Sequence, residues 1–304
     1  MTPFRVHILG CGSAMPTLRH NPSSQVVEIR EKLFMIDCGE GTQVQLRRSR
    51  LGFTKVNALF VSHLHGDHCL GIIGMISTFG MLGRTAPFHI YATPEFKRVL
   101  DVQMQIFCQN LEFDVVFHPV DTTKRQIIYE DRSIAVKTIP LRHRIPCCGY
   151  LFSEKPTLPH IRRDMIDFYK IPLSQINNIK NGTDWTDEDG NRIPNARLTR
   201  PSDKPRSYAY CSDTIYMPDL YKTVRGVNTL YHESTYLSKE EKMAALYYHS
   251  TAAQAAKVAN EAEVSQLIIG HFSARYEDAT VLLDEAKKTF EHTILAKEGL
   301  IVDV

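Results

Sequence analysis

Ser62-His63-Leu64-His65-Gly66-Asp67-His68 directly follows an apolar run, Val56-Asn57-Ala58-Leu59-Phe60-Val61. A lone histidine beside a core strand is usually a satisfied structural residue. Three imidazoles and a carboxylate packed behind one strand are not explained that way. Neutral imidazole and carboxylate are the borderline donors that suit Zn²⁺. On extended backbone, His63 and His65 point to the same side, which leaves Asp67 and His68 free to face a second ion.

Two ions need about seven protein donors plus water, so further donors must come from distant loops. His143, in Ile139-Pro140-Leu141-Arg142-His143-Arg144-Ile145-Pro146, lies in a polar break after a strand pattern. Asp213 follows the strand-like Tyr210-Cys211, and His271 ends Leu267-Ile268-Ile269-Gly270. Singly, a strand-end His or Asp is more often a turn or cap residue. Together the three complete two shells of three donors, with the Asp213 carboxylate able to be shared.

The 304 residues are 43% hydrophobic and 23% charged, an ordinary globular composition with room for one large α/β domain or two smaller ones. A net charge of +2 announces no nucleic-acid partner. No apolar run approaches the length needed to span a bilayer, so no membrane association is expected. The start, Met1-Thr2-Pro3-Phe4-Arg5-Val6-His7-Ile8, reads as a first strand rather than a signal peptide, and a cytoplasmic location is expected. Seven cysteines, an odd number without a CxxC pair, read as reduced thiols, with Cys38, Cys69 and Cys211 as packing around the site.

Apolar, β-branched runs alternate with helical patterns, which implies mixed sheets covered by helices. Strands are expected near 4–9, 24–30, 33–37, 56–61, 88–91, 113–117, 133–138, 206–211, 228–232 and 266–270. Helices are expected near 41–48, 67–82, 94–108, 239–247, 251–262 and 278–290. Residues 153–205 form an excursion from this pattern, rich in turns apart from a helical spacing over 161–170. From Glu154 to Arg206 ten Lys and Arg face eight Asp and Glu, a surplus of two, and a plain surface insertion is one reading of it. Thr251 and Gln254 fit a capping box, which puts His249 just ahead of a helix N-terminus, where phosphate is favoured.

The order of these blocks resembles the metallo-β-lactamase superfamily, with its HxHxDH motif, later His, later Asp and last His. Within it the chain is most similar to the ribonuclease Z family of tRNA 3′-processing endonucleases, in its short bacterial form. The likeness runs from His7-Ile8-Leu9-Gly10-Cys11-Gly12-Ser13-Ala14 and Met35 to Gln43, through Phe60 to His68, to Ser212-Asp213-Thr214. It continues in His232-Glu233-Ser234-Thr235, His249-Ser250-Thr251 and Gly270-His271-Phe272-Ser273-Ala274-Arg275-Tyr276. The last three blocks separate this family from others of the superfamily.

The resemblance implies a four-layer αββα sandwich over 1–304, with 153–205 inserted as a flexible exosite arm. It implies two Zn²⁺ per subunit, one on His63, His65 and His143 and one on Asp67, His68 and His271, with Asp213 bridging. Two cations about 3.5 to 4 Å apart can share a hydroxide and neutralise a phosphate oxygen, which makes hydrolysis of a phosphodiester feasible at neutral pH. The resemblance further implies that the phosphodiester is the one joining a precursor tRNA to its 3′ trailer, with a 3′-hydroxyl left on the tRNA. Asp67 would orient or deprotonate the attacking water, and His249, held by Glu233, would serve the leaving 3′-oxygen. The plain alternative makes His249 a capping-loop residue. Ser273 and Arg275 are candidate phosphate contacts, with a solvated arginine as the alternative. Asp37 is expected to order the ligand loops by hydrogen bonding. A homodimer is also implied.

Two departures from the family pattern stand out. The Pro-x-Lys-x-Arg-Asn loop reads Pro16-Thr17-Leu18-Arg19-His20-Asn21, and Ile171-Pro172-Leu173-Ser174-Gln175-Ile176 stands where the arm would carry Gly-Pro pairs. Competing readings are another hydrolase of this scaffold acting on a small phosphodiester, sulfate ester or thioester, a diiron oxidoreductase, and an RNA-binding protein without catalysis. His65 in place of a Glu and the lack of a flavin domain speak against the diiron reading, and the complete ligand set speaks against the last.

Overall fold

Neighbouring side chains of strand Lys32–Ile36 go to opposite faces: Phe34 and Ile36 join one apolar core, Leu33 and Met35 another. That alternation is what a strand covered on both sides requires. The computed structural model describes residues 2–304. Two seven-stranded sheets dominate. The first runs in the order Ile301–Asp303, Phe4–Gly10, Ser24–Ile29, Lys32–Ile36, Val56–Phe60, Phe88–Ala92, Val115–Pro119, antiparallel as far as Lys32–Ile36 and parallel beyond it. The second runs Thr293–Leu295, Gln266–Gly270, Thr229–Glu233, Ser207–Cys211, Cys148–Glu154, Ile134–Pro140, Ile127–Glu130, with its first four strands mutually parallel.

Aromatic rings join the sheets face to face. Phe60 lies 5.4 Å from both Tyr150 and Phe152, and Phe34 lies 5.9 Å from Phe152. On the far side of the first sheet, Ile72, Ile76, Phe79, Phe96 and Leu100 of two helices cover Leu59 and Val61. Helices Ala252–Glu261 and Thr280–Lys287 bury Ala255, Ala256, Val258 and Leu282 in the core of the second sheet. The result is helix, sheet, sheet, helix, with one apolar layer between each pair.

The expected helix over 67–82 is interrupted, forming Gly66–Cys69 and Ile72–Met81. The cause is a close backbone approach. A Cβ on Gly71 would lie 2.2 Å from the Gly39 carbonyl oxygen, and one on Gly39 would lie 2.4 Å from that of Asp67. The Gly71 N–H donates to Cys38 O instead of continuing the helix. Strands Ile127–Glu130, Cys148–Glu154, Thr293–Leu295 and Ile301–Asp303 were not expected, and the strand expected at 113–117 lies at Val115–Pro119.

Contacts divide the chain into two units, one running to Ser153 and resuming at Arg206–Val304, the other spanning Glu154–Pro205. The second unit is not only turns. Ile166, Ile171, Ile179, Ile193 and Leu198 bury one another, with Trp185 and Tyr169 packed against them. Helix Arg163–Phe168 occupies the middle of the stretch expected to be helical. Among the described residues no helix is long and apolar enough to cross a membrane.

Candidate metal centre

Strand register brings distant residues to one sheet edge. Cys211, His232 and Ile269 are neighbours across three parallel strands, so Asp213, Glu233 and His271 emerge together just beyond them. In the first sheet Ile36 pairs with Phe60, which sets Asp37 beside the start of the 63–68 run. Carboxyl ends of parallel strands are where open backbone and loops can present ligands.

Two donor clusters result. Nε2 of His63 and Nε2 of His143 lie 3.1 and 3.2 Å from Nδ1 of His65, and Asp213 Oδ2 lies 3.5 Å from His63 Nε2 and 3.8 Å from His143 Nε2. Asp67 Oδ2 lies 3.4 Å from His68 Nε2 and 3.6 Å from His271 Nε2, while Asp213 Oδ1 lies 3.4 and 3.1 Å from the same nitrogens. Each oxygen of Asp213 therefore serves one cluster.

On four of the five imidazoles, His63, His68, His143 and His271, the outer ring nitrogen is already engaged. His63 Nδ1 donates to Ser62 Oγ (3.0 Å), whose hydroxyl donates to Asp37 (2.9 Å). Asp37 also accepts from His68 Nδ1 (2.8 Å), Tyr210 Oη (2.7 Å) and the Ser62 N–H (2.7 Å). His143 Nδ1 donates to the Tyr248 carbonyl (2.9 Å), and His271 Nδ1 to Thr235 Oγ1 (3.0 Å). An acceptor at Nδ1 fixes the tautomer and leaves Nε2 with its lone pair inward.

These observations fit divalent cations. Among the described residues Nε2 of His68 and of His271 are buried without any hydrogen-bond partner, and two ring nitrogens of the other cluster lie about 3 Å from His65 Nδ1. Asp37, Asp213 and Glu233 are buried carboxylates close by, a concentration of negative charge that demands compensation. Burial keeps His63, His65 and His143 neutral, the form that ligates. Burial would lower the pKa of His68, but the negative charge of Asp213, Asp37 and Asp67 raises it. Together with His271, His68 outweighs burial and holds the Asp67 and Asp213 carboxyls well below the usual range, positive charge that bound cations would supply instead. The donor set is one that divalent cations take.

Glu233 organises the remaining wall. Its Oε1 accepts from His249 Nδ1 (2.8 Å) and the Thr214 N–H (2.9 Å), and its Oε2 accepts from the Thr235 hydroxyl (2.6 Å). Burial would lower the pKa of His249, but the charge and hydrogen bond of Glu233 raise it to about 9. Helix Ala252–Glu261 begins with a full capping box between Thr251 and Gln254, which anchors the segment carrying His249.

His65, Asp67, His143, Asp213 and His249 line a cavity of about 700 Å³, as do Ser273 and Arg275. Arg275 lies over the Tyr236 ring at 4.9 Å and donates from Nε to Ser273 Oγ at 3.3 Å. All candidate residues therefore meet at one site. In the 16–21 loop, Leu18 projects fully into solvent, whereas His20 turns inward to Glu298 (3.1 Å) and Cys11 (3.4 Å).

Sequence reasoning missed the Thr235 hydroxyl between Glu233 and His271, the Tyr248 carbonyl behind His143, and the Ala14 N–H that donates to Asp67 (2.8 Å). The two backbone groups have no side-chain signature. Positive φ at Ala14, Asp37, Tyr248 and His271 shows how sharply the chain turns around this centre.

A Ribonuclease Z from Bacteroides fragilis is 57% identical to the chain over 304 residues, covering all of both. The chain belongs to the ribonuclease Z family. A Ribonuclease Z from Porphyromonas gingivalis is 46% identical, again over the whole of both chains. The short form of human tRNase Z has a similar fold, with TM-score 0.71, 22% identity and 98% of each chain covered. The metallo-β-lactamase fold protein YhfI from Bacillus subtilis matches 99% of this chain and 100% of its own at TM-score 0.69 and 16% identity. Residues 4–159 also match the family model described as anti-Pycsar protein Apyc1. That match ends before Asp213, Glu233, His249 and His271, whereas the ribonuclease Z relatives span every element of the centre. The fold is the metallo-β-lactamase fold, and the family uses divalent metal.

Proposed function

We propose that this ribonuclease Z family member is a two-zinc endoribonuclease that removes the 3′ trailer of precursor tRNA and leaves a 3′-hydroxyl. The observation that carries the reading is the division of Asp213 between two donor clusters, beside a histidine whose Nδ1 is held by the buried Glu233 carboxylate. His63, His65 and His143 would hold one ion, Asp67, His68 and His271 the other, with Asp213 shared. When bound, the ions supply positive charge to phosphate oxygens and acidify the attacking water.

The chain's own groups do the rest. Asp67, steadied by the Ala14 N–H, orients the water and accepts its proton. His249 donates from Nε2 to the leaving 3′-oxygen, and Glu233 keeps that proton in place against the positive charge gathered nearby. Ser273 and Arg275 sit at the cavity wall as phosphate contacts. The Glu154–Pro205 unit serves as the arm that grips the tRNA body, and Arg163, Lys170, Arg197 and Arg200 are exposed on it.

A homodimer completes the proposal. Helix Phe96–Phe107 turns Val99, Val102, Ile106 and Phe107 to solvent, an apolar face of the kind a second copy covers. A cytoplasmic location goes with this proposal, since newly made tRNA precursors would be the substrate.

Incubation with a trailer-bearing precursor should yield mature-length tRNA and a trailer with a 5′-phosphate, and metal analysis should find two zinc ions per chain. Persistent cleavage by Asp67→Ala would exclude the mechanism. The alternative, a hydrolase of small esters, is separated by deleting residues 155–204: loss of tRNA cleavage with small-ester hydrolysis retained supports the arm, and no change in either argues against it.

A further inference from the structure

Two Arg–Tyr stacks border the cavity over the candidate metal centre, and they differ in kind. Tyr236 is 8% exposed, and its Arg275 is tied to Ser273 Oγ and to Met243 Sδ (3.0 Å), so this pair is a fixed wall. Tyr247 is 41% exposed, and the guanidinium of Arg144 lies over its ring at 4.8 Å, held among the described residues only by a 3.4 Å bond to the Leu246 carbonyl. This second pair is an open plane. Both of its members line the cavity with His249.

We propose that Arg144 and Tyr247 form a stacking shelf for the base of the nucleotide whose 3′-oxygen leaves, the last nucleotide of the mature tRNA. The shelf rests on the endoribonuclease reading above, because that reading makes His249 the donor to this oxygen. Its placement follows from the chain. Tyr247 stands two residues before His249, and Arg144 directly follows His143, whose ring lies 5.1 Å from that of His249. Between them, Tyr248 adopts φ +60° and its carbonyl accepts from His143 Nδ1, which fixes the corner from which both shelf residues project. A guanidinium lying over an exposed aromatic ring gives a cationic, π-rich surface, and unpaired bases stack on aromatic rings and on arginine. Stacking accepts all four bases, as an enzyme acting on many tRNAs requires.

The test uses the zinc-loaded enzyme and precursor tRNAs carrying 2-aminopurine on the 5′ or the 3′ side of the cleavage point, with a non-hydrolysable phosphonate there for binding measurements. The shelf quenches the 5′-side probe in wild type and Tyr247→Phe, and the quench is lost in Tyr247→Ala and Arg144→Ala. In steady-state assays of cleavable precursor, KM rises roughly 5- to 150-fold in Tyr247→Ala, the span of one base–aromatic stack, and exceeds any fall in kcat. Undiminished 5′-side quenching in both alanine variants, or loss confined to the 3′-side probe, overturns the shelf. If wild type cleaves precursor and the variants match it, the shelf alone fails. If wild type does not cleave precursor, the endoribonuclease reading fails with it.

Discussion

Glu233 accepts from Nδ1 of His249 at 2.8 Å with one oxygen and, with the other, accepts from the Thr235 hydroxyl that receives His271 Nδ1. One buried carboxylate thus sets both the candidate proton donor and a candidate ligand. Glu233→Gln should lower kcat about 10- to 100-fold.

The same pair governs the pH profile. His249 is the competent acid in its protonated form, which persists below about 9 and is lost as pH rises through that value. In Glu233→Gln the raising charge is gone while the lowering effect of burial stays, so the alkaline fall of kcat should move to lower pH. A profile of kcat against pH whose alkaline limb does not move would contradict the assignment.

Tyr248 holds a left-handed backbone to aim its carbonyl at His143. Tyr248→Gly should keep the turn, because glycine adopts it freely. Tyr248→Val should destabilise the protein by a further ~1 kcal/mol and loosen His143, since β-branched residues resist this conformation. Zinc content and the thermal midpoint of the two variants, measured side by side, check the difference.

Removal of the ions should leave Asp67, Asp213 and the inward ring nitrogens uncompensated. Chelation is therefore expected to lower the thermal midpoint as well as abolish cleavage, with both restored by added zinc. Asp213→Asn should reduce zinc at both positions rather than one; loss of a single ion by mass spectrometry would argue against sharing.

Glu298 accepts from the Asn21 N–H (2.8 Å) and from His20, and pins the loop that ends at Asn21. Burial would raise its pKa, but these two donors lower it below the ordinary value. The stability it contributes is present above the unfolded carboxyl value, about 4.3, and is lost as pH falls through the depressed native value. Urea unfolding between pH 6 and 3 should show a shallower loss of stability in Glu298→Gln than in wild type.

The sheet-forming alternation, the helix capping at Thr251 and the metal-type donors were legible because each is a local pattern. The 63–68 run carries its chemistry in consecutive residues, and the strand-end His143, Asp213 and His271 follow apolar runs that mark where a sheet stops. What the sequence could not state was distance. Short edge strands such as Ile301–Asp303 pair with residues almost three hundred positions away, so no local period marks them. The break at Leu70-Gly71 depends on the backbone of Gly39, and the tautomers of His143 and His271 depend on a carbonyl and a hydroxyl from other segments. Residue types determined which chemistry was available. Only tertiary packing decided which nitrogen faces inward and how Asp213 is shared, because hydrogen-bond direction is set by neighbours in space rather than in sequence.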